Sequence, residues 1–188
     1  MDSRIAAGAE RLGAETQLAA VSAVSWGAII AGAVVAVATA FILITLGAGI
    51  GVASVSPWPN RGVSPTTLTV AATLWLVVVQ WLASAAGGYI TGRLRVRWVD
   101  VHTHEVFFRD TANGFISWAL ATLIGVSLLG LMTLAASFTG AHALGSAEPA
   151  VPDSSAYIAL VSALSMIIGA FITCIAAALG GRVRDEHL

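Results

Sequence analysis

Lysine is absent from this chain, so all nine of its cationic side chains are arginines. Set against ten acidic residues, they leave a formal net charge of −1. A nucleic-acid-binding domain needs a basic face, and this balance excludes one. Cysteine is nearly missing too. Cys174 stands alone inside an apolar run, which rules out an internal disulfide and favours packing over thiol chemistry. Charge of either sign is scarce, at 10% of the residues, where a soluble domain carries about a quarter. A chain this poor in charge cannot wet the surface of a globule, so its solvent must be lipid. Also lacking are the short signatures of catalysis: GxSxG, HExxH, CxxC, and a glycine-rich phosphate loop after a strand. The chain therefore reads as a non-enzyme that needs no cofactor.

What fills the sequence is hydrophobic residue, 57% of 188 positions, with a mean hydropathy of +0.88. No Asp, Glu, Lys or Arg falls between Glu15 and Arg61, Arg61 and Arg93, Asp110 and Glu148, or Asp153 and Arg182. Each gap exceeds the roughly 20 apolar residues that cross a hydrocarbon core as a helix. Apolar continuity places spans near 26–51, 67–92, 114–140 and 156–181. Runs this long, without strand-like alternation, favour helices over barrel strands. The expected fold is all-α: an integral membrane four-helix bundle. Residues 1–24 form an N-terminal segment, 25–181 a single transmembrane domain, and 182–188 a tail. Ala36-Val37-Ala38 mimics a signal-cleavage site, but the apolar run is too long and follows too long a polar lead, so an uncleaved span is expected.

Arginine sets the orientation. Arg4 and Arg11 precede the first span, Arg93, Arg95, Arg97 and Arg109 sit between the second and third, and Arg182 and Arg184 follow the fourth. The other two loops hold only Arg61. The positive-inside rule then places both termini and the 93–113 connection in the cytoplasm. The expected location is a bacterial inner membrane, crossed four times.

The two halves resemble each other. "SWGAII" opens the first span and "SWALAT" lies near the start of the third, while "GGYITGRLR" and "GGRVR" end the second and fourth. A duplication would give two tandem transmembrane hairpins in parallel orientation. Independent selection of glycine and arginine at cytoplasmic helix ends accounts for the likeness equally well. Gly47 with Gly51 and Gly88 with Gly92 have GxxxG spacing, which lets helix backbones approach closely in lipid. Gln80, Ser84, Gly88 and Thr91 form one polar and small stripe, and Gln80 should meet another helix because an unpaired amide in lipid is costly. No Asp, Glu, Lys, Arg or His falls within the four expected spans, which argues against a proton-coupled transporter.

One island breaks the apolar pattern: "RVRWVDVHTHEVFFRDTANG", residues 95–114. In an extended segment Asp100, His102 and His104 would point one way, a chemically plausible ligand set for a metal such as zinc. A second reading accounts for more residues. Thr103 caps a short cytoplasmic helix, Glu105 and Arg109 pair at i,i+4, and Phe107 and Phe108 rest on the bilayer boundary. Asn113-Gly114 then supplies a left-handed stop before the third span. Arg93, Arg95, Arg97 and Trp98 would meet lipid phosphates or a partner just below the second span.

"SWGAIIAGA", "GAGIGVASVSPW", "GGYITGRLR" and "EVFFRDTANGFISWALATL" together resemble a family of small polytopic alphaproteobacterial inner-membrane proteins. The likeness covers most of residues 24–125 and is most specific at the last motif. It implies a membrane protein of unestablished activity and carries over no catalytic residue. The reading reached is a non-catalytic subunit, either of a homo-oligomer or of a larger membrane complex, with the lipid bilayer as its other partner. The alternative is a passive channel for a small solute or ion, lined by the glycine-rich first span and the Gln80 stripe.

Overall fold

The computed structural model describes residues 24–56, 62–96, 103–138 and 152–186. They form four helices: α1 (Trp26–Ser54), α2 (Pro65–Leu94), α3 (Thr103–Phe138) and α4 (Pro152–Glu186). Each contains a stretch long and apolar enough to cross a membrane. The N-terminal segment 1–23 and the far loops lie outside the described residues.

Local chemistry sets the helix ends. Pro65 occupies the first turn of α2, and the Ser64 hydroxyl accepts from the Thr67 N–H at 3.2 Å, so one orphan donor of that turn is satisfied. Within the spans, hydroxyls turn back on their own helices. Thr45, Thr73, Thr122, Ser127 and Thr133 each donate to a carbonyl three or four residues earlier. Water is missing from a bilayer core, so this internal bonding lets polar residues sit there at little cost.

Helix α2 packs most extensively on α4, and then on α1; α3 leans on α4. The core is built from small residues and sits at one end of the bundle. There Ala28, Ile29 and Ala33 of α1 meet Ala83, Gly87, Thr91 and Gly92 of α2 and Ala176 and Ala177 of α4. Toward the far end, α1 from Phe41 onward and α3 from Leu123 onward expose Phe, Ile, Leu and Met side chains. In water such surfaces would aggregate; in lipid they match their solvent.

Hydrogen bonds between helices advance in step. The Ser25 N–H donates to Asn113 Oδ1 (3.2 Å), and one turn further along both helices Ser117 Oγ donates to the Ile29 carbonyl (3.2 Å). Likewise Thr173 Oγ1 donates to the Ser84 carbonyl (3.2 Å), and further along both helices Arg184 Nη1 donates to the Arg95 carbonyl (2.6 Å).

One expectation is overturned. The stop at Asn113-Gly114 does not exist: α3 runs unbroken through both residues, so the separate short helix is instead the first turns of a 36-residue one. Asn113 is buried and spends its carbonyl oxygen on α1 rather than on its own backbone. Gly114 is needed for closeness, not for a left-handed bend. A Cβ there would come within 2.7 Å of the Ala177 Cβ and 2.9 Å of the Thr173 carbonyl oxygen. Among the described glycines only Gly62 has a positive φ.

Candidate functional site

The packed end of the bundle carries its densest polar chemistry. Arg95 terminates α2 in an extended conformation and turns its side chain inward, where none of it is exposed. Its Nη2 donates to Asp110 Oδ2 at 2.7 Å, and its Nε faces Asp110 Oδ1 in a two-point pairing across to α3. Asp110 is only 3% exposed. From α4, Asp185 brings a second carboxylate to 3.6 Å of Arg95 Nη2. Arg184 bonds that same carboxylate through Nε (3.0 Å) and Nη2 (2.6 Å) while donating to the Arg95 carbonyl. Two cations and two anions therefore close one network over the ends of α2 and α4 and the start of α3.

Small residues make room for it. A Cβ on Gly181 would strike the Asp110 carboxylate and approach Arg95 Nη2 to 3.2 Å. Burial, reinforced by the positive charge of Arg184, pushes the Arg95 pKa down to about 10, with Asp185 opposing. Arg95 therefore stays charged at neutral pH. The chemistry available here is clamping: each charged group is engaged by another, and pulling one partner away would leave a buried charge stranded.

Around the clasp, the residues singled out from sequence separate into those the fold brings together and those it does not. Arg95 was expected to meet lipid phosphates; buried against Asp110, it has no surface for them. Arg93 is half-buried beside Gly180, and Arg97 and Trp98 lie outside the described residues. Arg109 Nε donates to Glu105 Oε1 at 2.7 Å, the i,i+4 pair expected. Phe107 and Phe108 are exposed on the first turns of α3. His104 is exposed in the opening turn of that helix, so the alternation needed to aim three ligands one way ends there. Asp100 and His102 lie outside the described residues, among which no three His, Cys, Asp or Glu side chains gather.

The two GxxxG pairs behave differently. Gly88 packs on the backbone of Thr173, and Gly92 on the Ala177 carbonyl, so this pair is a true seam between α2 and α4. Gly47 instead receives the indole of Trp75, whose Nε1 donates to the Leu43 carbonyl at 2.9 Å, and Gly51 faces open space. The stripe of Gln80, Ser84, Gly88 and Thr91 faces α4 and α1. Ser84 and Thr91 are buried, Gly88 is covered by Thr173, and Gln80 lies against Gly169. The interhelical bond expected of Gln80 is made instead at Ser84, by Thr173.

Asp110, Asn113, Ser117, Arg184 and Asp185 were missed as site residues. A signal existed for three of them: "DTANGFIS" places Asp110, Asn113, Gly114 and Ser117 on one helical face. Treating Asn-Gly as a helix end concealed it. No family model, curated protein or solved structure matches the chain.

Proposed function

We propose that this chain is a non-catalytic inner-membrane subunit that works within a homo-oligomer or a larger membrane complex. In this reading the packed end, with its arginines, lies on the cytoplasmic side together with both termini. The helices form two hairpins in parallel orientation, joined through the cytoplasmic clasp. The in-step bonding of 25 with 113 and 29 with 117, and of 84 with 173 and 95 with 184, supports that arrangement.

The observation that carries the reading is the contrast between the two ends. Side chains at the packed end bond one another across helices, whereas the far halves of α1 and α3 leave Gly49, Gly51, Gly125 and Gly130 facing open space. Glycine weakens a helix relative to other residues, and in lipid its usual return is close backbone contact with another helix. Among the described residues these four make none, and in this reading a neighbouring subunit supplies it. A passive path along the Gln80 stripe draws no support, since α4 and α1 cover the stripe from Ser84 to Thr91. Gentle extraction followed by native mass spectrometry tests the proposal. A defined oligomer or hetero-complex is expected; a lone monomer that keeps its fold in lipid would overturn it.

A further inference from the structure

We propose that the groove between α1, α2 and α4 at the level of Gln80 binds a lipid-soluble molecule whose head is an uncharged carbonyl or hydroxyl group. The groove encloses about 250 Å³ and is walled by Ile44, Leu76, Val79 and Met166, with Gln80 and Ser165 among its few polar groups. Ser165 carries the inference. It is 6% exposed, and its Oγ has no hydrogen-bond partner. The hydroxyls of Thr73, Thr122, Ser127 and Thr133 show the ordinary solution at membrane depth, donation to a carbonyl of the same helix. Ser165 departs from it, although a buried unpaired hydroxyl costs on the order of a full hydrogen bond.

The chemistry of the walls selects the ligand. No ionisable side chain lines the groove, so a charged head would enter without compensation. Ser165 Oγ and the Gln80 amide each donate and accept, which suits a neutral carbonyl or hydroxyl. The apolar remainder of such a molecule fits the aliphatic walls. Ile44, Leu76 and Met166 are also exposed on the outside of the bundle, so the mouth opens sideways toward lipid and the ligand arrives through the bilayer. A cavity below the usual drug-sized range of roughly 300–1,000 Å³ takes one ring or the head of a chain, not a whole lipid. Long-chain alcohols and isoprenoid quinones share this chemistry.

The full-length protein in phosphatidylcholine nanodiscs provides the test, with a long-chain alcohol bearing a diazirine beside its hydroxyl as the probe. Mass-spectrometric mapping should place adducts at residues 76–80 and 161–166. An unlabelled long-chain alcohol or a decyl-substituted benzoquinone should compete, the more potent of them identifying the source, while an alkane of equal length should not. Ser165→Ala should lower labelling about tenfold, the loss expected for one buried hydrogen bond, with the far-ultraviolet circular dichroism unchanged. Adducts spread evenly over lipid-facing residues such as 123–138, equal competition by the alkane, labelling indifferent to Ser165→Ala, or no labelling in the groove would each overturn the proposal. These outcomes are independent of the oligomeric state, so the site and the subunit reading stand or fall separately.

Discussion

Replacing Asp110 with alanine should destabilise the bundle by stranding a buried arginine. The Arg95 side chain is wholly buried, and its carboxylate partner on α3 is nearly so. Breaking such a pair from one side typically costs about 3–5 kcal/mol, because the remaining charge is stranded away from water. Here Asp185 already stands 3.6 Å from Arg95 Nη2 and is about one-third exposed, so it takes up part of the load. The expected loss is therefore about 3 kcal/mol, the lower end of that range. Asp110→Asn keeps an acceptor for Nη2 and should lose about half as much. The double variant Arg95→Met/Asp110→Leu removes both charges and should return to within about 1 kcal/mol of the parent, since apolar replacement of a complete buried pair is often neutral. Unfolding in mixed micelles by added sodium dodecyl sulfate, followed by far-ultraviolet circular dichroism, reads all four proteins. The effect should persist in about 1 M salt, because ions do not screen a buried pair. A loss below about 1 kcal/mol for Asp110→Ala, or a double variant no more stable than Asp110→Ala, would refute the clasp.

Three further outcomes follow from the packing. Gly92→Val should disrupt the α2–α4 seam and lower the thermal midpoint strongly, because a Cβ there meets the Ala177 carbonyl; Gly51→Val, facing open space, should leave the midpoint of the detergent-dissociated monomer nearly unchanged. Ser165→Ala in ligand-free micelles should raise stability by about 1 kcal/mol, since it removes a buried hydroxyl without a partner; a loss of similar size would show that Ser165 is bonded in the folded protein. Glu105→Gln should cost at most about 0.5 kcal/mol in the same denaturation, and less in high salt, because its pair with Arg109 is an exposed i,i+4 bridge.

The spans were legible because lipid imposes one demand that composition records directly, about 20 residues without charge. Their ends were legible where capping chemistry is local, as at Ser64-Pro65. The start of α3 was not, because Asn-Gly has two uses: a left-handed stop, or a carbonyl-bearing side chain beside a close helix contact. Only the presence of Ser25 and Ala177 on other helices decides between them. The same holds for the two GxxxG pairs, identical in spacing and opposite in surroundings. Arg93, Arg95 and Arg97 were equivalent as sequence; the position of Asp110 across the bundle selects Arg95 for burial. The Gln80 stripe was readable as a face that shuns lipid, yet neither α4 as its cover nor Ser165 as its orphan neighbour follows from periodicity.

The most direct test of the subunit reading is thiol crosslinking in native membranes, with Cys174 replaced by serine and single cysteines placed at Gly49, Gly51, Gly125 or Gly130. The account predicts one adduct of defined mass from these far-half positions, either a dimer of this chain or a pairing with a single other protein. Monomer alone at all four positions, with the clasp intact, would contradict it.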